Sequence, residues 1–342
     1  MNEILVTAII VVRNEEKYIK ISLKSLLEQN FPSNKYEIII VDGNSDDNTI
    51  KNIEETIKKY NKQNVKITIL KNEKKLLAPG WNIGIQNAKG KYVTRIDAHA
   101  SASKDFIKTS LETIEKLPED IACVGGRLIS VSLEKEDKTI SKVLSSPFGV
   151  GNSKFRYSEK EQYVDTVAFG LYKKEIFNKV GYFDETLERN QDNNMHNRIR
   201  KAGYKFYYNP EIKSEYYVRN NLKKMLKQGV LNGKWNIIVF RQDKESLSVR
   251  HLVPLAFVLS IILLVILAII NKIFLYILVA ELITYFTLGI FFALKKTKNI
   301  IEILKMLLYF LLLHISYGAG SLLSIFNRKV KRWKKWVFMK NY

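Results

Sequence analysis

Apolar and polar residues follow two different rhythms along this chain, and the change falls near residue 251. Before it, short β-branched or aromatic runs recur, separated by stretches with helical spacing. Thr7–Val12, Tyr36–Val41, Val65–Leu70 and Tyr92–Ile96 read as four buried strands. Between them, Asn14–Gln29 carries Ile19, Leu23, Leu26 and Leu27 on one helical face. Ile50, Ile53 and Ile57 mark a second helix, and Pro79-Gly80 opens a third that Gly90 closes. Strands alternating with helices predict a doubly wound, mainly parallel α/β sheet. Next come a helix at Asp105–Lys116, a strand at Ile121–Val124, a strand with an internal glycine at Thr166–Tyr172 and a short helix at Lys174–Val180. Met195, Ile199 and Ala202 predict a helix ending at Gly203, and Tyr204–Tyr208 and Ile212–Tyr217 are short β-like runs. Residues 131–165 show no clear period and are expected to form a long, mobile excursion near a site. Leu222–Phe240, with Lys223, Lys224, Lys227, Lys234 and Trp235, predicts a basic amphipathic helix suited to a membrane surface or to lipid-linked phosphates.

From Leu252 the alternation stops. Leu252–Ile270 is an uncharged apolar run long enough to span a bilayer. Asn271-Lys272 make a minimal turn, and Ile273–Leu294 is a second span, interrupted only by Glu281, which is expected to face protein. Met306–Phe326 is a third apolar run containing His314-Ile315-Ser316-Tyr317-Gly318-Ala319-Gly320. The chain therefore divides into an α/β domain over 1–240, a linker over 241–251, a membrane region over 252–326 and a basic tail over 327–342. If all three runs cross, the tail ends on the side opposite the α/β domain, against the positive-inside rule. A re-entrant or interfacial third segment removes the conflict, so two spans plus a third span or re-entrant helix is the expectation.

The net charge of +21 changes this picture only locally. Asn327–Tyr342 holds Arg328, Lys329, Lys331, Arg332, Lys334, Lys335 and Lys340 with no acid, and Trp333 and Trp336 suit the headgroup level. No zinc spacing, helix-turn-helix signal or aromatic-basic motif supports nucleic acid as a partner. The single cysteine, Cys123, cannot form an internal disulfide, which suits a reducing compartment. The apolar run at the N-terminus is too short for a secretory signal and reads as the first strand.

The candidate chemistry centres on Lys91–Ser101. A short strand there runs into Asp97-Ala98-His99. In an open α/β sheet, ligands bind at the carboxyl ends of strands. An Asp-x-His pair at that place can hold a divalent cation that clamps two phosphates, though a solvated turn is the bland alternative. The first two strands also end in polar groups, Arg13-Asn14-Glu15 and Asp42-Gly43-Asn44. Asp42 could accept hydrogen bonds from a base or ribose, or cap a turn, for which Asp46 and Asp47 are better placed. Asp192 lies at the start of the helix of Met195 and Ile199 spacing. It suits either a general base kept ionised by the helix terminus or a plain cap. No G-x-G-x-x-G follows the first strand and no G-x-x-x-x-G-K-[ST] occurs, which argues against dinucleotide oxidoreductases and P-loop enzymes.

Taken together, VVRNEEKYI at 11–19, VDGNSDDNT at 41–49, APGWNIGIQNAKG at 78–90, RIDAHA at 95–100 and GYFDETLERNQDNNMHNRIRKAGY at 181–204 resemble glycosyltransferase family 2, in its membrane-bound, succinoglycan-biosynthesis branch. HISYGAG at 314–320 resembles the last hydrophobic segment of such proteins. The resemblance implies a GT-A nucleotide-diphospho-sugar transferase fold followed by a C-terminal hydrophobic helical region. It implies Asp97 and His99 as ligands of Mn²⁺ or Mg²⁺, the imidazole slightly favouring Mn²⁺. It implies donor contacts at Asp42, Asn82, Arg95 and Asp97, and Asp192 as catalytic base. The reaction would be an inverting transfer from a nucleotide-diphosphate sugar donor to a lipid-linked saccharide on the cytoplasmic face of the cell membrane. Direct transfer to polyprenyl phosphate and a non-catalytic membrane scaffold are the alternatives. Val11 stands where many relatives have proline, and Gln228 is not followed by a clean Q-x-x-R-W, which disfavours processive polymerisation.

Overall fold

The computed structural model describes residues 3–131, 138–151, 153–217, 221–242, 244 and 251–326. The basic tail, most of the 241–251 linker and residues 132–137 of the excursion lie outside these residues.

Four strands form the parallel half of one sheet. These are β1 (Val6–Val12), β2 (Tyr36–Asp42), β3 (Lys66–Lys71) and β4 (Tyr92–Arg95), in the order β3-β2-β1-β4. Helices α1 (Ile19–Leu27), α2 (Thr49–Tyr60) and α3 (Leu77–Asn87) connect them. Strand side chains alternate between faces, so each face collects its own core. Ala8, Ile10, Ile38 and Ile40 pack with Leu23 and Leu26 of α1 on one side. Ile9, Ile39 and Val41 pack with Trp81 and Ile85 of α3 on the other.

Beyond β4 the sheet is mixed. The chain makes β5 (Ala100–Ala102), α4 (Phe106–Glu115) and β6 (Ile121–Val131), leaves the sheet, and returns through β7 (Gln162–Val164) to β8 (Leu171–Lys173). Coming back from where β6 ended, β8 runs antiparallel to both β4 and β6. Helices α7 (Glu175–Val180) and α8 (Gln191–Lys201) precede β9 (Lys205–Tyr217), which pairs parallel to β6 and antiparallel to β5 and β7. The two β-like runs expected near 204–217 are thus one strand. The register slips opposite Gly126, where β9 carries Pro210. A Cβ at Gly126 would lie 1.8 Å from the Ile212 carbonyl oxygen, so only glycine lets the strands pass. The expected strand at Thr166–Tyr172 shortens to Leu171–Lys173, because Phe169 has a left-handed backbone (φ +46°).

The described residues of the excursion are structured. They form α5 (Thr139–Leu144), α6 (Pro147–Val150) and a 3-10 turn at Lys154–Arg156. Ile140 and Val143 are buried against Met306, Phe310 and Leu313 of α12 (Ile300–Phe326), together with Met225 of α9 (Leu222–Gln242). The remaining helices, α10 (Val253–Ile270) and α11 (Ile273–Leu294), run antiparallel: Phe257 stacks on Tyr285, and Ser260 donates to Glu281 at 2.6 Å. α10, α11 and α12 are long and apolar enough to cross a membrane.

Candidate active site

The carboxyl ends of β1, β2 and β4 meet at one edge of the sheet. There the loops after β1 and β2 are stitched together. Asn14, in the left-handed region at φ +53°, donates its side-chain amide to Asp46 at 2.6 Å and its backbone N–H to Ser45 Oγ at 3.0 Å. Glu16 accepts from the Asn48 backbone at 3.1 Å, and Asp47 accepts from the Glu16 backbone at 3.2 Å. Asp42, nearly buried at the end of β2, accepts from Ser45 Oγ at 2.6 Å and from the Ser45 N–H. Asp46 and Asp47 hold the turns, and Asp42 sits beneath them.

Asp97 and His99 follow β4. The Asp97 backbone carbonyl accepts from Ser22 Oγ of α1 at 3.1 Å, while its carboxylate accepts no hydrogen bond from a described residue. Burial pushes the Asp97 carboxyl above the usual carboxylate range; His99 and Arg95 offset this only in part, and Asp192 and Glu15 add to the rise. The His99 ring stands edge-on to Tyr216 with Nε2 3.0 Å from the hydroxyl, and its Nδ1 lies 3.4 Å from Glu15 Oε1. Glu15 and Tyr216 were not singled out from sequence as partners of the Asp-x-His pair. Glu15 was visible as a polar group ending β1, but Tyr216 lies 117 residues from His99 and carried no signal.

Asp192 enters from the other side, in the first turn of α8 after Asn190, whose backbone is left-handed at φ +60°. Its carboxylate is not a helix cap. Arg95 grips both its oxygens, with Nη1 2.5 Å from Oδ1 and Nη2 bonded to Oδ2. The guanidinium is nearly buried, stacked 3.7 Å above the Trp81 ring. Burial alone would raise the Asp192 carboxyl, but Arg95 overrides it and holds the group below the usual carboxylate range. Arg95, expected at the donor, is committed to Asp192 here. Asn82 is likewise committed. Its amide donates to the Phe183 carbonyl at 2.9 Å and Glu185 at 3.0 Å, and accepts from the Phe183 N–H at 2.9 Å. It braces the 181–190 loop against α3. Behind Asp192, His196 lies between Thr166 (2.7 Å) and the Tyr172 hydroxyl (2.6 Å), and burial drives its pKa down to about 3.

Among the described residues no three His, Cys, Asp or Glu side chains gather into a metal cluster. The fit is to a different kind of site. The Asp97 carboxylate, which accepts no hydrogen bond from a described residue and stands two residues from the His99 ring, suits a divalent cation held by one or two protein ligands and completed by phosphate oxygens.

The sequence profile of glycosyl transferase family 2 matches residues 7–181, half of the chain, and this span includes Asp42, Arg95, Asp97 and His99. The chain belongs to glycosyl transferase family 2. It is 34% identical, over 75% of its length and 80% of the relative's, to a dolichyl N-acetyl-alpha-D-glucosaminyl phosphate 3-beta-D-2,3-diacetamido-2,3-dideoxy-beta-D-glucuronosyltransferase of Methanococcus voltae. It is 25% identical, over 71% of its length and 72% of the relative's, to the succinoglycan biosynthesis protein ExoA of Rhizobium meliloti. Among solved structures, the mannosyltransferase PcManGT of Pyrobaculum calidifontis, in complex with GDP-Man and Mn²⁺, shares the fold. Its TM-score is 0.62 at 15% identity, over 95% of this chain and 88% of that one. The fold is GT-A, the chain is a glycosyltransferase, and it carries three candidate membrane helices.

Proposed function

We propose that this glycosyltransferase moves a sugar from a nucleoside-diphosphate donor onto a hydroxyl of a lipid-linked saccharide at a membrane surface, with inversion at the anomeric carbon. The observation that carries the reading is the Arg95–Asp192 pair beside Asp97. It supplies an ionised, rigidly aimed carboxylate next to an unpaired one.

Each residue then has a distinct task. Asp192 orients the acceptor hydroxyl and takes its proton as the oxygen attacks. Arg95 keeps Asp192 ionised and fixes its plane. Asp97, with His99, holds the divalent ion, which when bound neutralises charge growing on the leaving diphosphate. Asp42 faces the nucleoside. For His99 to act as a ligand, a ring nitrogen must give up a contact, and the 3.4 Å approach of Nδ1 to Glu15 is the looser of the two. The apolar helices and the lipid-linked substrate named for the Methanococcus relative support a lipid-linked acceptor at a membrane.

The test is nucleoside-diphosphate release by the detergent-solubilised full chain. UDP-, GDP- and dTDP-sugars are supplied with lipid extract, with Mn²⁺ or EDTA, beside Asp97→Ala and Asp192→Asn. Metal-dependent release from one donor, lost in both variants, is expected. Full turnover by Asp192→Asn would remove it as the base, and EDTA-resistant release would remove the metal. Labelled lipid product separates the acceptors: sugar on a saccharide, as proposed, or directly on polyprenyl phosphate.

A further inference from the structure

α12 stays in contact with the catalytic half throughout its length. Near its start, Glu302 pairs with Lys142 of α5 at 2.6 Å. In its middle, Phe310 and His314 pack on Phe148 of α6. At its end, Arg241 of α9 donates to the Ile325 carbonyl at 2.9 Å. Between these points α9 runs alongside in the same direction, in close contact through glycines. A Cβ at Gly229 would lie 2.3 Å from Ser316 Oγ, and one at Gly233 would lie 2.0 Å from the Tyr317 carbonyl oxygen.

From Glu302 to Ile325 the helix rises about 35 Å, more than the roughly 30 Å of a hydrocarbon core. Were α12 to cross, α9 and the 138–150 excursion would be carried through the bilayer beside it. Lys142 would be at one face and Arg241 at the other, with Lys227 and Lys234 at depth. α9 contains five cations and no acid, and neither Lys227 nor Lys234 has an ion-pair partner among the described residues. Charges at that depth are strongly disfavoured unless paired. The uncovered side of α12 is instead mainly apolar: Ile301, Leu304, Leu308, Ile315, Leu323 and Phe326 are exposed there, with Lys305 among them near the start of the helix. The α10–α11 hairpin rests on α12 only near its base, where Pro254 closes on Gly318 and the Tyr285 hydroxyl lies 2.8 Å from His314 Nδ1. Its tip is free, with Ile269 and Ile270 at the turn 85% and 79% exposed.

We infer that α12 lies in the plane of the membrane interface with α9 beside it, forming the surface by which the catalytic half rests on an anionic bilayer, and that only α10 and α11 cross. Two crossings bring the chain back to its starting side. The seven cations of the 327–342 segment then end on the catalytic side, and the conflict with the positive-inside rule disappears.

The inference rests on reading α10–α12 as membrane helices, and the experiment tests the two separately. Green fluorescent protein or alkaline phosphatase is fused to Tyr342 of the full chain in Escherichia coli. Fluorescence with an inactive phosphatase is expected, together with Asn271→Cys labelled from outside by an impermeant maleimide. An active phosphatase at Tyr342 overturns the inference. Independently, spin labels at Leu304→Cys, Ile315→Cys and Leu323→Cys are read for depth in 3:1 phosphatidylcholine–phosphatidylglycerol vesicles. Equal, shallow depths are expected, and a deep Ile315 flanked by shallow neighbours overturns it. A label at Ile266→Cys on α10 is expected deep. If it is as water-exposed as the others, the membrane reading itself has failed.

Discussion

A lysine at position 95 could reach Asp192 with its single nitrogen but could not grip both oxygens, nor spread flat on Trp81. Arg95→Lys is therefore expected to leave donor KM near the wild-type value and to lower kcat about 10- to 100-fold, the scale of a misplaced reacting group. The pH dependence has a definite sign. Burial raises the Asp192 carboxyl and Arg95 lowers it below its ordinary range. A weaker grip lets it rise, so the acidic limb of kcat moves to higher pH in Arg95→Lys. Parallel pH–rate profiles check this, and a limb that stays put or moves down would separate the pair from the base. At this scale the sequence was legible for position, at the ends of strands and at the start of α8. Asp42, Asp97 and Asp192 all reach the sheet's carboxyl edge or face it across Arg95. It was illegible where roles come from pairing. RIDAHA places Arg95 two residues from Asp97, but nothing in the run says that the guanidinium turns to a carboxylate 97 residues away. Nor does the sequence say that Asn82 is used up by the 183–185 backbone and side chains.

At the scale of elements, the turn entering α8 depends on a helix far along the chain. Asn190 holds a left-handed backbone and donates its side-chain amide to Asn236 of α9 at 2.5 Å; Asn236 in turn bonds the Tyr317 hydroxyl of α12. Arg189 donates to Asn232 at 3.4 Å, one turn earlier on the same face of α9. Two substitutions separate backbone from side chain here. Asn190→Gly keeps the left-handed conformation and loses the amide, whereas Asn190→Ala loses both. If the link positions Asp192, both lower kcat at constant donor KM, alanine more, and Tyr317→Phe falls with glycine. Wild-type turnover by Asn190→Gly and Tyr317→Phe together would reduce the contact to mere packing. The first four strands and their helices were legible because the strands are short runs rich in β-branched residues and the helices between them carry apolar residues at helical spacing. The excursion was not. Ile140 and Val143 are buried, and Phe148 half-buried, by helices more than 100 residues away, and so short a stretch shows no period of its own. β9 was split in two because Pro210 interrupts the run, and the bulge that absorbs it is created by Gly126 on the neighbouring strand.

For the whole molecule, the catalytic half and the apolar helices share one core. Ile140 and Val143 from α5, Met225 from α9, Ala293 from α11 and Met306, Phe310 and Leu313 from α12 form a single buried cluster. Phe310 is fully buried at its centre and meets the Phe148 ring edge-on. Truncating such a phenylalanine costs about 3–5 kcal/mol where the cavity cannot collapse. The two cores flanking the sheet do not include this cluster, so the loss should stay local. Phe310→Ala is expected to speed amide exchange across 139–150 while leaving exchange in β1, β2 and β4 unchanged. Nucleotide binding, which depends on those strand ends, should also hold. If the excursion shapes the acceptor side of the site, acceptor KM rises while donor KM does not. Exchange that accelerates across the sheet as well would mean the two halves unfold together. Unchanged exchange at 139–150 would mean that the excursion holds its shape without α12.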